Sequence, residues 1–173
     1  YEITGKNCLT DIWPNMELYI HGGVSFMPYK ERFKQLIKSS QVNYLETYNA
    51  SEGFFGIQDD LNRDDMLLML DYGVFYEFMP MTEYGKENPM TIGLDKVELG
   101  KNYAIVISTN GGLWRYLVGD TIQFVQLNPF KIKVSGRLKQ YINAFGEEVI
   151  ADNTDNAIAK TCATFNVLMN EYT

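Results

Sequence analysis

The stretch that decides the fold is Tyr44-Leu45-Glu46-Thr47-Tyr48-Asn49-Ala50-Ser51-Glu52-Gly53. Its first half is rich in strand-favouring residues, and apolar and polar positions roughly alternate, which predicts a short strand. Its second half has the small and polar residues of a turn. A strand that ends in such a turn brings backbone N–H groups, a hydroxyl and a carboxylate to a sheet edge where ligands bind in open sheets with parallel strands. A local capping role for Ser51 and Glu52 is the alternative.

The segment before this strand predicts a parallel partner for it. Residues 16–21 alternate as a strand and end at Gly22 and Gly23, a pair typical of a turn or of close backbone approach by a ligand. Pro28 suits the first turn of a helix, and apolar residues recur at helical spacing over residues 29–39. A strand, a helix and a second strand form a βαβ unit, so we expect the two strands to be parallel.

The rest of the chain predicts a β-rich fold that ends in a helix. We expect strands over residues 66–79 (two strands, joined near residues 71–73), 103–109, 113–118, 121–127 and 131–135. Asn110-Gly111-Gly112 is typical of a hairpin turn, and a second hairpin is predicted over residues 142–150. Asp152 or Thr154 then caps a final helix of about 15 residues.

Composition limits the possible functions. The chain has 173 residues, 46% of them apolar, and a net charge of −7, which disfavours sequence-independent binding to nucleic acid but permits a small polyanionic ligand. Cys8 and Cys162 are too far apart in sequence to indicate a disulfide framework or a metal cluster, and free thiols are typical of the cytoplasm. No apolar run is long enough to span a membrane and no signal peptide is recognisable. His21 is the one histidine, so we expect it to be structural.

Three separated segments carry a resemblance to a known family. They are Tyr-Asn-Ala-Ser-Glu-Gly at 48–53, Trp-Arg-Tyr-Leu-Val-Gly-Asp at 114–120, and the stretch from Gly136 to Val149. Their order and spacing resemble the adenylate-forming superfamily, and within it the auxin-responsive acyl acid–amido synthetases, also called the Gretchen Hagen three family. The segment from Trp13 to Tyr29 is most similar to bacterial members of that family.

The resemblance implies a two-step ligase reaction. A carboxylic acid attacks the α-phosphate of Mg·ATP to give an acyl-adenylate and pyrophosphate, and an amine, typically an amino acid, then takes the acyl group as an amide. Two alternatives stay open: an acyl-CoA ligase, with a thiol acceptor, and a non-enzymatic β-rich module that binds a ligand on its aromatic residues. ATP, Mg²⁺, a small carboxylic acid and an amine are therefore the expected partners, with no nucleic acid and no membrane.

The resemblance also implies roles for single residues. Tyr48 is expected to stack on adenine, Ser51 to face the α-phosphate and Glu52 to hold Mg²⁺, which prefers carboxylate and phosphate oxygens. Asp120 is expected to accept the ribose hydroxyls, and Arg137 to contact ribose or phosphate. Ser51, Glu52 and Arg137 are the candidate catalytic residues. The remaining candidates are the nucleotide-binding residues Gly22, Gly23, Val24, Asn49, Ala50 and Gly53, the acyl-pocket residues Phe54 and Phe55, and the hinge residue Lys139.

The implied fold is a mixed α/β fragment of the large adenylate-forming domain, with a βαβ unit and antiparallel strands, followed by the start of a small C-terminal domain. Residues 1–138 are assigned to the large domain and residues 139–173 to the hinge and the truncated small domain. Neither a Ser/Thr-Gly-rich phosphate loop nor the catalytic Lys of the small domain is recognisable, so both are expected to lie outside the sequence. We therefore expect a piece of a longer enzyme that is inactive by itself.

Overall fold

The computed structural model describes residues 3–23, 26–140, 142–144, 147–149, 151–165 and 167. Within these residues, eight strands form one mixed sheet in the order β1-β2-β3-β4-β8-β7-β6-β5. The strands of this sheet are β1 Leu18–Gly22, β2 Asn43–Ala50, β3 Gly53–Ile57, β4 Met66–Leu68, β5 Val74–Pro80, β6 Asn102–Thr109, β7 Tyr116–Leu127 and β8 Phe130–Arg137. A βαβ unit joined to antiparallel strands confirms the predicted mixed α/β class.

The predicted βαβ unit is present. β1 pairs with β2 in parallel, with Leu18 opposite Asn43 and Gly22 opposite Thr47. The connecting helix α1 spans Lys30–Ile37 and follows a short 3₁₀ turn that contains Pro28. The parallel pairing of β1 and β2 is confirmed, and the carboxyl ends of both strands lie at the same edge of the sheet.

The strand β3 is a feature that the sequence did not predict. It follows β2 after a two-residue turn, Ser51 and Glu52, and pairs with it antiparallel, with a bulge between Tyr48 and Asn49. Two of its five residues are glycine, which weakens the strand signal in the sequence. The candidate loop is therefore the tight turn of a hairpin.

The two strands expected over residues 66–79 are present as β4 and β5, of which β4 lies between β3 and β8 while β5 pairs with β6. One prediction about the central strands needs correction. The predicted break at residues 119–120 is wrong, since β7 runs unbroken from Tyr116 to Leu127. Gly119 has a φ of +92° inside this strand, which a residue without a Cβ tolerates.

The C-terminal elements match the predictions where they are described. β9 Ile142–Ala144 and β10 Glu147–Val149 form the expected antiparallel hairpin, whose turn lies outside the described residues. Helix α2 spans Ala151–Phe165 and has the expected 15 residues, but the predicted cap is wrong: the helix begins at Ala151, so Asp152 and Thr154 lie inside its first turn. In the described part of the chain, neither α1 nor α2 has the length and apolar character that crossing a bilayer requires.

The main core lies against one face of the large sheet. Phe55, Phe78, Tyr103 and Phe124 are at most 1% exposed, and the rings of Phe78 and Phe124 meet edge to face with centroids 5.0 Å apart. Such edge-to-face pairs are favourable arrangements of aromatic quadrupoles. Tyr48 belongs to this core as well, so one candidate site residue is anchored directly in it.

Candidate functional site

Two candidate residues from distant segments meet in the structure. The hydroxyl of Tyr48, on β2, donates a hydrogen bond to Oδ2 of Asp120, on β7, over 2.9 Å. β3, β4 and β8 separate these two strands in the sheet. The sheet is therefore curved enough to bring Tyr48 and Asp120 into contact across its concave side.

A second contact joins the same two segments. The hydroxyl of Tyr116, at the start of β7, donates to Oε1 of Glu52 in the β2–β3 turn over 3.1 Å. Sequence reasoning did not single out Tyr116. The sequence feature that could have pointed to Tyr116 is a shared spacing: Tyr48 precedes Glu52 by four residues, and Tyr116 precedes Asp120 by four.

Arg137 joins the cluster through Asp120. The two residues are register partners on β7 and β8, and the guanidinium Nε lies 3.3 Å from Asp120 Oδ1. The Asp120 side chain is 16% exposed and that of Arg137 is 65% exposed. Both Asp120 oxygens thus have protein partners, while the Arg137 side chain is largely exposed.

The two tyrosines are protonated donors at neutral pH. Burial, then the nearby charge of Asp120 and the hydrogen bond to it, raise the pKa of Tyr48 far above its ordinary value. The hydrogen bond to Glu52, and then the charge of that carboxylate, raise the pKa of Tyr116. A phenol next to a carboxylate keeps its proton because an adjacent phenolate would be repelled.

The glycine pair, Gly22 and Gly23, lies at the end of β1 beside β2. A Cβ on Gly22 would be only 2.3 Å from the carbonyl oxygen of Thr47, so the end of β1 approaches β2 at a distance that a side chain would prevent. Gly23 has a φ of +87° with open space around its Cβ position. Val24, the third residue of this predicted group, lies outside the described residues.

The other predicted site residues surround the β2–β3 turn. Ser51 is exposed, and the exposed Asn49 accepts a hydrogen bond of 3.4 Å from the Thr47 hydroxyl. Ala50 is half-buried and packs against the core. Gly53 lies where a Cβ would be 2.8 Å from the Phe55 ring.

The acyl-pocket and hinge predictions concern residues farther from the carboxylates. Phe55 is 0% exposed and belongs to the core, so of the two phenylalanines only the half-buried Phe54 reaches the surface, next to Tyr72. The expected role of Phe55 in an open pocket is therefore corrected to core packing. Lys139 is exposed in a 3₁₀ turn directly after β8, and its hinge role stays a prediction.

Stacking of adenine on Tyr48 also stays a prediction. Tyr48 is 5% exposed, and its ring packs against that of Phe55 with centroids 5.1 Å apart. A base can stack only on an accessible ring face. Stacking therefore requires that more of the Tyr48 ring become accessible than in this structure.

Contacts of Arg115, which the sequence did not predict, fix the start of β7. Arg115 has a left-handed backbone, with φ of 46°. Its backbone N–H donates to Ser108 Oγ over 3.0 Å, and its guanidinium donates to Glu77 and to Thr91 over 3.1 and 3.0 Å. The Thr91 hydroxyl also donates to Glu77, and this hydrogen bond is the main reason that the pKa of the Glu77 carboxyl is lowered. These contacts hold Arg115 immediately before Tyr116.

The donor set near the turn suits one kind of metal ion. Among the residues that the structure describes, no group of three or more His, Cys, Asp and Glu side chains is arranged to hold a metal by itself. Mg²⁺ in nucleotide enzymes is commonly held by one or two carboxylates together with substrate phosphates. Glu52, half-buried and supported by Tyr116, fits that use, whereas an all-protein metal cage does not fit these residues.

The sequence is similar to a known family and to curated plant proteins. The family described as the GH3 family central domain matches residues 67–137. The chain is 31% identical over 130 residues to an indole-3-acetic acid-amido synthetase, GH3.4, of Arabidopsis thaliana; the match covers 68% of this chain and 21% of that protein. It is also 31% identical over 124 residues to the jasmonoyl–L-amino acid synthetase JAR4 of Nicotiana attenuata, covering 66% of this chain and 21% of the relative. The chain thus spans about a fifth of the length of these curated relatives.

Solved structures show the same fold. The acyl acid amido synthetase GH3.15 superposes with a TM-score of 0.70 at 18% identity, covering 93% of this chain and 30% of that one. ATP-bound MatB of Rhodopseudomonas palustris superposes with a TM-score of 0.54 at 15% identity, covering 82% of this chain and 29% of that one. Residues 67–137 are thus similar to the GH3 family central domain, and the chain is similar in sequence to the two plant synthetases.

Proposed function

We propose that this chain supplies the adenosine- and metal-binding part of an ATP-dependent ligase. The ligase activates a carboxylic acid as an acyl-adenylate and transfers the acyl group to an amine. One observation carries the proposal: the Tyr48–Asp120 and Tyr116–Glu52 hydrogen bonds join two segments that are 64 to 72 residues apart in sequence. They place two carboxylates, a guanidinium and an exposed turn around one concave side of the sheet.

Asp120 and Arg137 are the proposed contacts for ribose. A carboxylate has about four lone-pair positions, so Asp120 can accept two ribose hydroxyls while it keeps its bonds to Tyr48 and Arg137. The Arg137 side chain is 65% exposed, and a planar guanidinium suits phosphate or ribose oxygens. This arrangement supports a polyanionic ligand despite the net charge of −7.

Glu52, Ser51 and the glycine pair are the proposed contacts for metal and phosphate. Bound Mg²⁺ would neutralise charge on the phosphates, and Glu52 is the residue that would hold it. The exposed Ser51 precedes Glu52 in the turn, where its hydroxyl and backbone N–H suit an α-phosphate oxygen. Gly22 and Gly23 leave the backbone beside the turn open to a nucleotide.

An amine is the proposed acceptor. One curated relative is named an indole-3-acetic acid-amido synthetase and the other a jasmonoyl–L-amino acid synthetase, which favours an amine over the thiol of an acyl-CoA ligase. The described residues here serve the first half-reaction, which both classes share. Screening of amino acids and coenzyme A as acceptors, in a longer protein that contains this chain, separates the two.

Three further assignments belong to this proposal. We assign the large domain to residues 1–138 and the hinge with the start of the small domain to residues 139–173, since the last strand of the main sheet ends at Arg137. A cytoplasmic location is supported by the free thiols of Cys8 and Cys162. We also propose a bacterial source, because the segment from Trp13 to Tyr29 resembles bacterial members of the family.

Binding of Mg·ATP to the 173-residue chain tests the proposal. We expect saturable binding of a fluorescent ATP analogue, and a loss of about 10- to 100-fold in affinity in Asp120→Ala, because a hydrogen bond to a charged group contributes about 1.5–3 kcal/mol. Trp114→Ala, at a side chain that is 83% exposed, is the control and should bind normally.

Two results would contradict parts of this proposal. Equal nucleotide binding by the wild type, Asp120→Ala and Tyr48→Ala would contradict the proposed nucleotide site and favour the non-enzymatic binding module. Robust ATP–pyrophosphate exchange by the 173-residue chain alone would contradict the expectation that additional groups are needed to position the triphosphate. Absence of exchange, with binding retained, is the expected combination.

A further inference from the structure

Two hydrogen bonds join the candidate motif at residues 48–53 to the candidate motif at residues 114–120. Each has a tyrosine four residues before its acid: Tyr48 before Glu52, and Tyr116 before Asp120. Each tyrosine donates to the acid of the other motif, Tyr48 to Asp120 over 2.9 Å and Tyr116 to Glu52 over 3.1 Å. Both acids are therefore held by a phenol from a distant segment.

The two hydrogen bonds differ in burial. Tyr48 is 5% exposed and packs in the core, so its bond contributes to the fold. Tyr116 is 40% exposed. A hydrogen bond at such a position exchanges with water at little net gain in stability. The bond from Tyr116 is therefore suited to orient Glu52 without being needed for folding.

The backbone of Tyr116 is held unusually firmly for an exposed residue. Arg115, its neighbour, is in the left-handed region with φ of 46°, a conformation that persists in a non-glycine residue only when its surroundings impose it. Ser108, Glu77 and Thr91 supply those contacts to the Arg115 backbone and guanidinium. These bonds fix the start of β7, from which the Tyr116 side chain reaches Glu52.

We propose that Tyr116 is a positioning residue for Glu52. Its hydroxyl holds Oε1 of the carboxylate, which limits the rotation of Glu52 and leaves the other oxygen to bind the Mg²⁺ that accompanies the nucleotide. Arg115, clamped by Glu77 and Thr91, sets the direction of Tyr116. This inference rests on the proposed function, because it concerns the same site.

The contact itself can be tested without any ligand. The Tyr116 phenol is titrated by NMR with ring-labelled tyrosine, in the wild type and in Glu52→Gln. We expect the pKa of Tyr116 to fall toward its ordinary value in Glu52→Gln, because the hydrogen bond to a carboxylate and then the nearby charge are lost. Tyr72→Phe, at another exposed tyrosine, serves to assign signals and should leave the Tyr116 titration unchanged. An unshifted Tyr116 pKa in Glu52→Gln would overturn the inference regardless of the function.

The positioning role is tested by the Mg²⁺ dependence of nucleotide binding. The Mg²⁺ concentration that half-saturates binding of a fluorescent ATP analogue is measured for the wild type, Tyr116→Phe, Glu52→Gln and the double variant. We expect Tyr116→Phe to raise this concentration about 2- to 12-fold, as loss of one hydrogen bond of about 0.5–1.5 kcal/mol implies, with metal-free affinity and the urea midpoint unchanged. On the Glu52→Gln background, Tyr116→Phe should add nothing.

The outcomes separate the two proposals. Asp120-dependent nucleotide binding whose Mg²⁺ dependence is the same in Tyr116→Phe would overturn the inference and leave the proposed function in place. Additive effects of Tyr116→Phe and Glu52→Gln would also overturn it, since a positioning residue acts through its partner. Absence of Mg²⁺-dependent nucleotide binding in the wild-type chain would overturn the proposed function and, with it, this inference.

Discussion

The hydroxyl of Tyr48 lies 2.9 Å from Oδ2 of Asp120, although the two residues are 72 positions apart in sequence. The bond joins β2 to β7 across the concave side of the sheet and links a core residue to a half-buried carboxylate. It therefore has two consequences that can be measured separately, one for stability and one for the orientation of Asp120.

Tyr48→Phe should destabilise the chain. The substitution keeps the ring and removes the donor from a half-buried carboxylate, and hydrogen bonds to charged groups contribute about 1.5–3 kcal/mol. We expect a loss of this size in the free energy of unfolding, measured by urea denaturation. Tyr116→Phe is the matched control at the exposed hydrogen bond and should leave the urea midpoint nearly unchanged. Equal losses in both variants would show that burial does not distinguish the two bonds.

Stability should fall at alkaline pH through the buried tyrosines. Burial raises the pKa of Tyr76 from 10.0 to about 12, and its hydroxyl donates to the Met69 carbonyl over 3.0 Å. The unfolded chain loses this proton near pH 10 and the folded chain only near pH 12, so its contribution to stability is complete below pH 10 and is lost as the pH rises toward 12. The slope from this one group approaches about 1.4 kcal/mol per pH unit.

Tyr76→Phe isolates that contribution. Urea denaturation is followed at neutral pH and at intervals above pH 10 in both proteins, and the variant should lose stability less steeply. Tyr48, whose pKa is also raised by burial, adds to the slope with the same sign and is present in both. Parallel curves for wild type and variant would contradict the prediction.

Gly22→Ala should disturb the end of the parallel strand pair. The new Cβ would be 2.3 Å from the Thr47 carbonyl oxygen, so β1 must move away from β2. Forced overpacking of this kind costs about 1–3 kcal/mol. Urea denaturation measures the loss, and amide hydrogen exchange in β1 should accelerate. Gly111→Ala, where the atom nearest to the added Cβ would be 3.6 Å away, should have little effect.

Phe78→Ala should be among the most damaging single substitutions. Phe78 is 0% exposed and touches the rings of Tyr103 and Phe124. Truncation of a buried phenylalanine costs about 3–5 kcal/mol. Phe75→Ala, on the same strand at a side chain that is 66% exposed, should change the free energy of unfolding by less than about 0.5 kcal/mol. Similar losses at both positions would contradict the difference in burial between Phe78 and Phe75.

Local sequence signals explain which elements were predicted well. Helix α1 and strands β1, β2 and β6 each carry a clear periodicity or apolar run, so short-range physical preferences identify them. The parallel pairing of β1 with β2 follows from the helix between them, because a short helical crossover returns the chain in the same direction.

The errors have equally physical causes. The strand β3 contains two glycines, and local propensity alone does not distinguish it from a loop. The strands β4 and β5 were expected at these positions, but the sequence did not predict their partners: β4 lies between β3 and β8, and β5 pairs with β6. Pairing between distant strands is decided by burial and hydrogen bonds that no short window of sequence contains.

The sequence by itself determined the βαβ unit, the β-rich remainder and the two motifs that end in Glu52 and Asp120, since each depends on residues close together in the chain. Only the tertiary structure decided that Tyr48 is buried, that Tyr116 belongs to the site, and that each tyrosine bonds the acid of the other motif. The reason is the curvature of the sheet: it sets which side chains meet across β2 and β7, and it results from the packing of the whole core.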